Sequence, residues 1–143
     1  MSQEEANIAR LKDAYARWSE QKGADCGCWM NLMADDATLR SLAEGAPELP
    51  FAAQRRSRQE IQDYLDGLLR DWEMVEADMN DFIAQGDRVV AMGRVAWRNL
   101  ATGKVAASRK VDIWQFRNGD VVGFEEFFDT AGAVAAATPE AAS

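Results

Sequence analysis

The chain has 143 residues, 48% hydrophobic and 28% charged, which suits one packed domain and is too apolar for a chain that stays disordered. Its formal net charge of -8 argues against nucleic acid and anionic membranes, because the 16 basic residues do not cluster into a phosphate-binding face. No apolar run approaches the ~20 residues of a membrane span, and the acidic start Met1-Ser2-Gln3-Glu4-Glu5 is unlike a secretion signal, so a cytoplasmic protein is expected.

Ser2-x-x-Glu5 reads as a capping box, and Ile8, Leu11, Tyr15 and Trp18 follow at helical spacing until Gly23. Asp25 is positioned to cap a second helix with Cys28, Trp29, Leu32 and Met33 on its apolar side, before a short extended piece over 38–42. Cys26 and Cys28 lie two apart and cannot staple distant segments. With no histidine and too few ligands for zinc, neither a metal nor a cofactor is expected. Residues 43–56, with Gly45, Pro47 and Pro50, read as a long loop and a candidate pocket rim.

A second capping box, Ser57-x-x-Glu60, opens a third helix with Ile61, Tyr64, Leu65 and Leu68 on one stripe, ending near Arg70. Beyond Trp72 four extended runs are separated by Gly86-Asp87, Ala101-Thr102-Gly103 and the hairpin signal Asn118-Gly119. Two of these runs are long enough to require a bend or bulge, and Gly93 is a candidate site for one. The domain is expected to span 1–131. Residues 132–143 form a tail with at best a short helix from Thr130 before disorder. The expected class is therefore α+β: three N-terminal helices on a curved four- to five-strand antiparallel sheet.

Three segments carry a resemblance. Met33-Ala34-Asp35-Asp36-Ala37-Thr38, the run Val111-Asp112-Ile113-Trp114-Gln115-Phe116-Arg117-Asn118-Gly119, and Phe127-Phe128-Asp129-Thr130 are similar to the SnoaL-like, ketosteroid isomerase-like branch of the nuclear transport factor 2-like superfamily. The similarity runs from about Ile8 to Ala131 and implies a cone enclosing a pocket, and a homodimer through the outer sheet face with Trp97 and Ile113 as contacts. It matches Asp112 to an acid that donates a hydrogen bond to a developing oxyanion, with Tyr15 assisting. The position of the family's general base is Ser41. The epoxide-hydrolase arrangement of the superfamily matches Arg94 and Asp129 but meets Ala96 at its third member.

Alternation along a strand puts Lys110, Asp112 and Trp114 on one face, where burial would raise the Asp112 pKa and Lys110 would lower it. The competing reading of Asp112 is an ordinary ion pair with Lys110 or Arg94. Phe124, Glu126 and Phe128 share a face of the last strand, where Glu126 is an acid or base or, more commonly for such a residue, a solvated carboxylate at an edge or dimer surface. Asp129 suits a helix cap. Trp18, Trp29, Met30, Met33, Trp97 and Trp114 are candidates to line an apolar cavity, with Trp18, Met33 and Trp114 expected to touch a ligand, against the commoner alternative that such residues are plain core.

Two functions follow. One is cofactor-independent acid–base chemistry on a small hydrophobic or aromatic carbonyl or epoxide compound, with Asp112, Tyr15 and a polarising Arg94. The other is a non-catalytic module or accessory subunit holding a hydrophobic ligand in the same pocket.

Overall fold

The computed structural model describes residues 1–140. Helix α1 (Gln3–Glu20) starts where Ser2 Oγ accepts the Glu5 N–H at 3.1 Å, and it buries Leu11, Ala14, Tyr15 and Trp18 along one side. Helix α3 (Arg58–Asp71) starts the same way on Ser57, whose hydroxyl accepts the Glu60 N–H at 3.1 Å. Both serines therefore cap by satisfying an orphan N–H of a first turn.

Between them the helical expectation is cut short. Helix α2 is a single turn, Gly27–Met30, and strand β1 begins at Met33 and runs to Ser41 rather than starting at 38. The sheet claims the residues that the helical period had assigned to α2: Leu32 C=O accepts the Val121 N–H at 2.8 Å, and Met33 pairs with Val121. The 43–56 loop folds inward, with a short turn at Pro50–Ala52 that buries Phe51 and Ala52.

Strands β2 (Trp72–Gln85), β3 (Arg88–Asn99), β4 (Val105–Arg117) and β5 (Asp120–Phe127) form the expected antiparallel meander. Asn118 and Gly119 both take positive φ, 51° and 85°, in the turn that joins β4 to β5. The five strands lie in the order β1-β5-β4-β3-β2. The one departure from an antiparallel sheet is β1, which pairs parallel to β5, a geometry that needs a long connection instead of a hairpin. Here α3 and the whole meander supply that connection.

The sheet bends at β2, where the register slips after Met74 and again after Met79. The second slip lies opposite Gly93, so the bulge sits on the facing strand and Gly93 makes room for it. A Cβ there would stand 2.0 Å from the Asp78 carbonyl oxygen.

The short helix allowed from Thr130 at the start of the tail is present. Helix α4 (Thr130–Ala137) is capped by Asp129, whose Oδ1 accepts the Gly132 N–H at 3.0 Å. The short side chains of Ala133 and Ala136 are buried and let the helix lie close on β4 and β3. The disorder expected for 141–143 lies outside the described residues. No helix among the described residues is long and apolar enough to cross a membrane.

Candidate functional site

Helices α1 and α3 close over the inner face of the sheet around a cavity of about 110 Å³. That is roughly the size of a cavity that accepts one aromatic ring. All five tryptophans line it, Trp18, Trp29, Trp72, Trp97 and Trp114. Four of them pack in a chain: Trp97 meets Trp18 at 6.1 Å between ring centres, Trp18 meets Trp29 at 6.0 Å, and Trp29 stacks on Trp114 at 5.3 Å. Their mutual packing makes most of this wall aromatic and apolar.

One part of the wall is polar. Strands β4 and β5 are in register with Asp112 opposite Glu126, and each strand points these residues inward by simple alternation. Asp112 is 1% exposed and Glu126 2%. Lys110 Nζ lies between them, 3.3 Å from Asp112 Oδ1 and 3.3 Å from Glu126 Oε1. Each carboxylate also takes a hydrogen bond from a helix: Tyr15 of α1 donates to Asp112 Oδ2 at 2.5 Å, and Tyr64 of α3 donates to Glu126 Oε1 at 2.7 Å. The Tyr15 oxygen in turn accepts from Trp114 Nε1 at 2.9 Å. Glu126 Oε2 is buried without a hydrogen-bond partner, and Asp112 Oδ1 has only the Lys110 ammonium beside it.

Burial pushes the Asp112 carboxyl above its ordinary value. The Lys110 cation and the Tyr15 hydroxyl oppose the shift without cancelling it, and the neighbouring Glu126 charge adds to it. For Lys110, burial favours the neutral amine, but the two carboxylates outweigh it and leave the ammonium above its usual range. Burial, reinforced by the carboxylate each one touches, holds Tyr15 and Tyr64 well above the ordinary phenol value, so both stay protonated donors.

Tyr15, Trp18, Met33, Lys110, Asp112, Trp114, Phe124, Glu126 and Phe128 all line this one cavity. Arg94 does not: it is exposed on the opposite face of β3, because Val95 and Trp97 take the inward positions of that strand. The cation beside Asp112 is Lys110. With Arg94 outside and Asp129 capping α4, the Asp-Arg-Asp arrangement is not assembled. The inward turn of Trp97 also removes it from the outer face where a dimer contact was expected.

Glu126 is a second correction. A solvated edge carboxylate was the commoner expectation, but β1 covers the side of β5 with Ser41 paired to Glu126, so the position is interior. Ser41 itself is buried and its hydroxyl accepts the Ala43 N–H at 3.2 Å, which makes it a turn residue. Tyr64, Phe51 and Trp72 were missed as cavity residues. Tyr64 carried a usable signal, since a tyrosine on a buried helical stripe needs a partner for its hydroxyl.

The model of the SnoaL-like domain family matches residues 11–124. No curated protein sequence matches. Among solved structures, an NTF2-like protein from Burkholderia thailandensis is similar over 93% of this chain and 98% of its own, at 25% identity and a TM-score of 0.78. TerC, co-crystallized with polyporic acid, shares 23% identity over 92% of this chain and 98% of its own, with a TM-score of 0.76. A protein with a ketosteroid isomerase-like fold from Catenulispora acidiphila, in complex with trimethylamine, shares 12% identity over 89% of this chain and 93% of its own, with a TM-score of 0.71. The last two likenesses speak for the fold alone.

Proposed function

The chain belongs to the SnoaL-like domain family, and we propose that its cavity takes a small, mostly apolar, single-ring carbonyl compound and carries out cofactor-independent acid–base chemistry on it, with Asp112 as the acid. The observation that carries this reading is the polar wall: two buried carboxylates with one largely covered ammonium between them, in an otherwise mostly apolar cavity. Such a trio is electrically neutral only when it holds one extra proton, and a low-dielectric site penalises any other state. Asp112 Oδ2 accepts from Tyr15 and Oδ1 faces the Lys110 ammonium at 3.3 Å, so a ligand oxygen that takes the Asp112 proton does so beside Lys110. A carboxylic acid kept neutral by its surroundings is a strong donor to an oxygen that gains charge during reaction. Polyporic acid with TerC and trimethylamine with the Catenulispora protein support the general idea that this fold accommodates small organic molecules.

A non-catalytic binding module is the second reading, favoured by one detail. The single proton of Tyr15 is already donated to Asp112, so the site offers an oxyanion one donor fewer than the sequence suggested. Thermal unfolding separates the two. Ligand at about 100 times its dissociation constant stabilises a protein by ~2.7 kcal/mol. Phenol is expected to stabilise the wild type more than toluene does, and Asp112→Asn to lose that preference while remaining folded. Equal responses to phenol and toluene in both proteins would leave only the binding module, and no response to either would remove the single-ring ligand.

A further inference from the structure

Lys110 Nζ stands at the same distance, 3.3 Å, from Asp112 Oδ1 and from Glu126 Oε1. An ammonium placed so evenly stabilises a negative charge on either carboxylate about equally. Each carboxylate also has its own tyrosine donor, Tyr15 for Asp112 and Tyr64 for Glu126. Only Glu126 keeps an oxygen free of both: Lys110 and Tyr64 share its Oε1 and leave Oε2 buried without a hydrogen-bond partner, whereas Asp112 meets Lys110 on Oδ1 and Tyr15 on Oδ2. Ser41, the neighbour of Glu126 across β1, has its hydroxyl engaged in a turn and offers no base.

We infer that Glu126 is the general base of the site and that Lys110 is a positioning residue, a pivot that pairs with whichever of the two carboxylates is ionised as a proton crosses the bound compound. The inference rests on the acid–base reading above and specifies its reaction: proton transfer within a single-ring ketone that has an ionisable C–H beside the carbonyl. The Glu126 carboxylate takes that proton, and the C–H pair becomes the carbon–carbon double bond of an enol. The carbonyl π pair moves to oxygen, which takes the proton of Asp112, whose O–H pair remains on its carboxylate. At that stage Glu126 is neutral, Asp112 is anionic and Lys110 pairs with Asp112, so the trio keeps the same net charge. Asp112 then recovers the enol proton, and Glu126 returns its own to the same carbon or to the conjugated one. No oxidant, reductant or co-reactant is consumed.

The other titratable groups facing the trio are Tyr15 from α1 and Tyr64 from α3, with Asp129 at the cavity edge and Arg55 acting on Tyr64. The tyrosines stay protonated across the working range, so the acid side of a pH–rate profile reports the carboxylates. The experiment follows loss of α-deuterium from deuterated cyclohexanone by NMR and conversion of 3-cyclohexenone to the conjugated enone by ultraviolet absorbance. The wild type is expected to catalyse both, and Glu126→Gln to lose about 100-fold or more. Should Glu126→Gln fail to fold, Glu126→Asp keeps the charge but retracts it by one methylene, and is expected to fold and to show a comparable loss. Lys110→Met is expected to slow turnover and move the acid limb of the profile to higher pH, and Lys110→Arg to restore the wild-type limb. Deuterium loss at the wild-type rate in a folded Glu126 variant overturns the base, and an unmoved acid limb in Lys110→Met overturns the pivot. Thermal stabilisation by phenol without any wild-type exchange overturns this inference but leaves the binding cavity. Neither stabilisation nor exchange overturns both.

Discussion

Asp112 holds its proton more tightly in the folded chain than in the unfolded one, because burial disfavours its anion. A group shifted in that direction contributes stability that is full below its unfolded value, near 3.8, and is lost as the pH rises through the higher folded value. Asp112→Asn removes that proton equilibrium, so the melting temperature of the variant relative to wild type is expected to rise between pH 4 and pH 7. A constant difference across that range would mean that Asp112 titrates as an ordinary carboxylate. Tyr64→Phe tests the other half of the wall. It deletes only the hydroxyl that donates to the buried Glu126, and a lost hydrogen bond to a charged group costs about 2 kcal/mol, readable by denaturant unfolding. Of the two carboxylates, Asp112 was the more legible as a site residue, because its strand neighbours Lys110 and Trp114 and the family resemblance pointed the same way. Glu126 looked like an edge residue because nothing in the linear pattern reveals that β1 lies beside β5.

The strands and caps were read well where a local rule sufficed. Ser2, Ser57 and Asp129 each satisfy N–H groups within three residues of themselves, and Asn118-Gly119 sets its turn by its own positive φ angles. Local rules failed where a distant partner decided the outcome. Leu32 and Met33 continue the helical period of α2, yet pairing with Val121, nearly ninety positions away by sequence, places Met33 in β1 and Leu32 at its edge. Gly93 is a similar case: the glycine was noticed, but the bulge it permits belongs to β2. Gly93→Ala would push a methyl group into the Asp78 carbonyl and is expected to destabilise the domain by ~3 kcal/mol, at the upper end for overpacking. A loss below ~1 kcal/mol in urea unfolding would show that β2 yields easily there.

At the scale of the whole molecule, the sheet has two faces with different work. The inner face carries the cavity, and the outer face presents half-buried Val90, Met92, Val111, Ile113 and Phe127, with exposed Arg94, Arg109 and Glu125 around them. We propose that a second copy of the chain covers this outer face, where Arg and Glu of one copy can meet Glu and Arg of the other across a two-fold axis. Light scattering is expected to give the mass of two chains for the wild type and of one for Ile113→Asp; a monomeric wild type overturns it. Composition, capping motifs, turn dipeptides and strand alternation determined, from the sequence by itself, an α+β domain with long bent strands and Lys110, Asp112 and Trp114 on one face, because each of those signals acts over a few residues. Only the tertiary structure decided that Arg94 faces outward, that Glu126 is enclosed, and that Lys110 sits evenly between two carboxylates. Those facts depend on strand pairing and helix placement between residues far apart in the chain, where a one-residue change of register would turn every side chain to the other face.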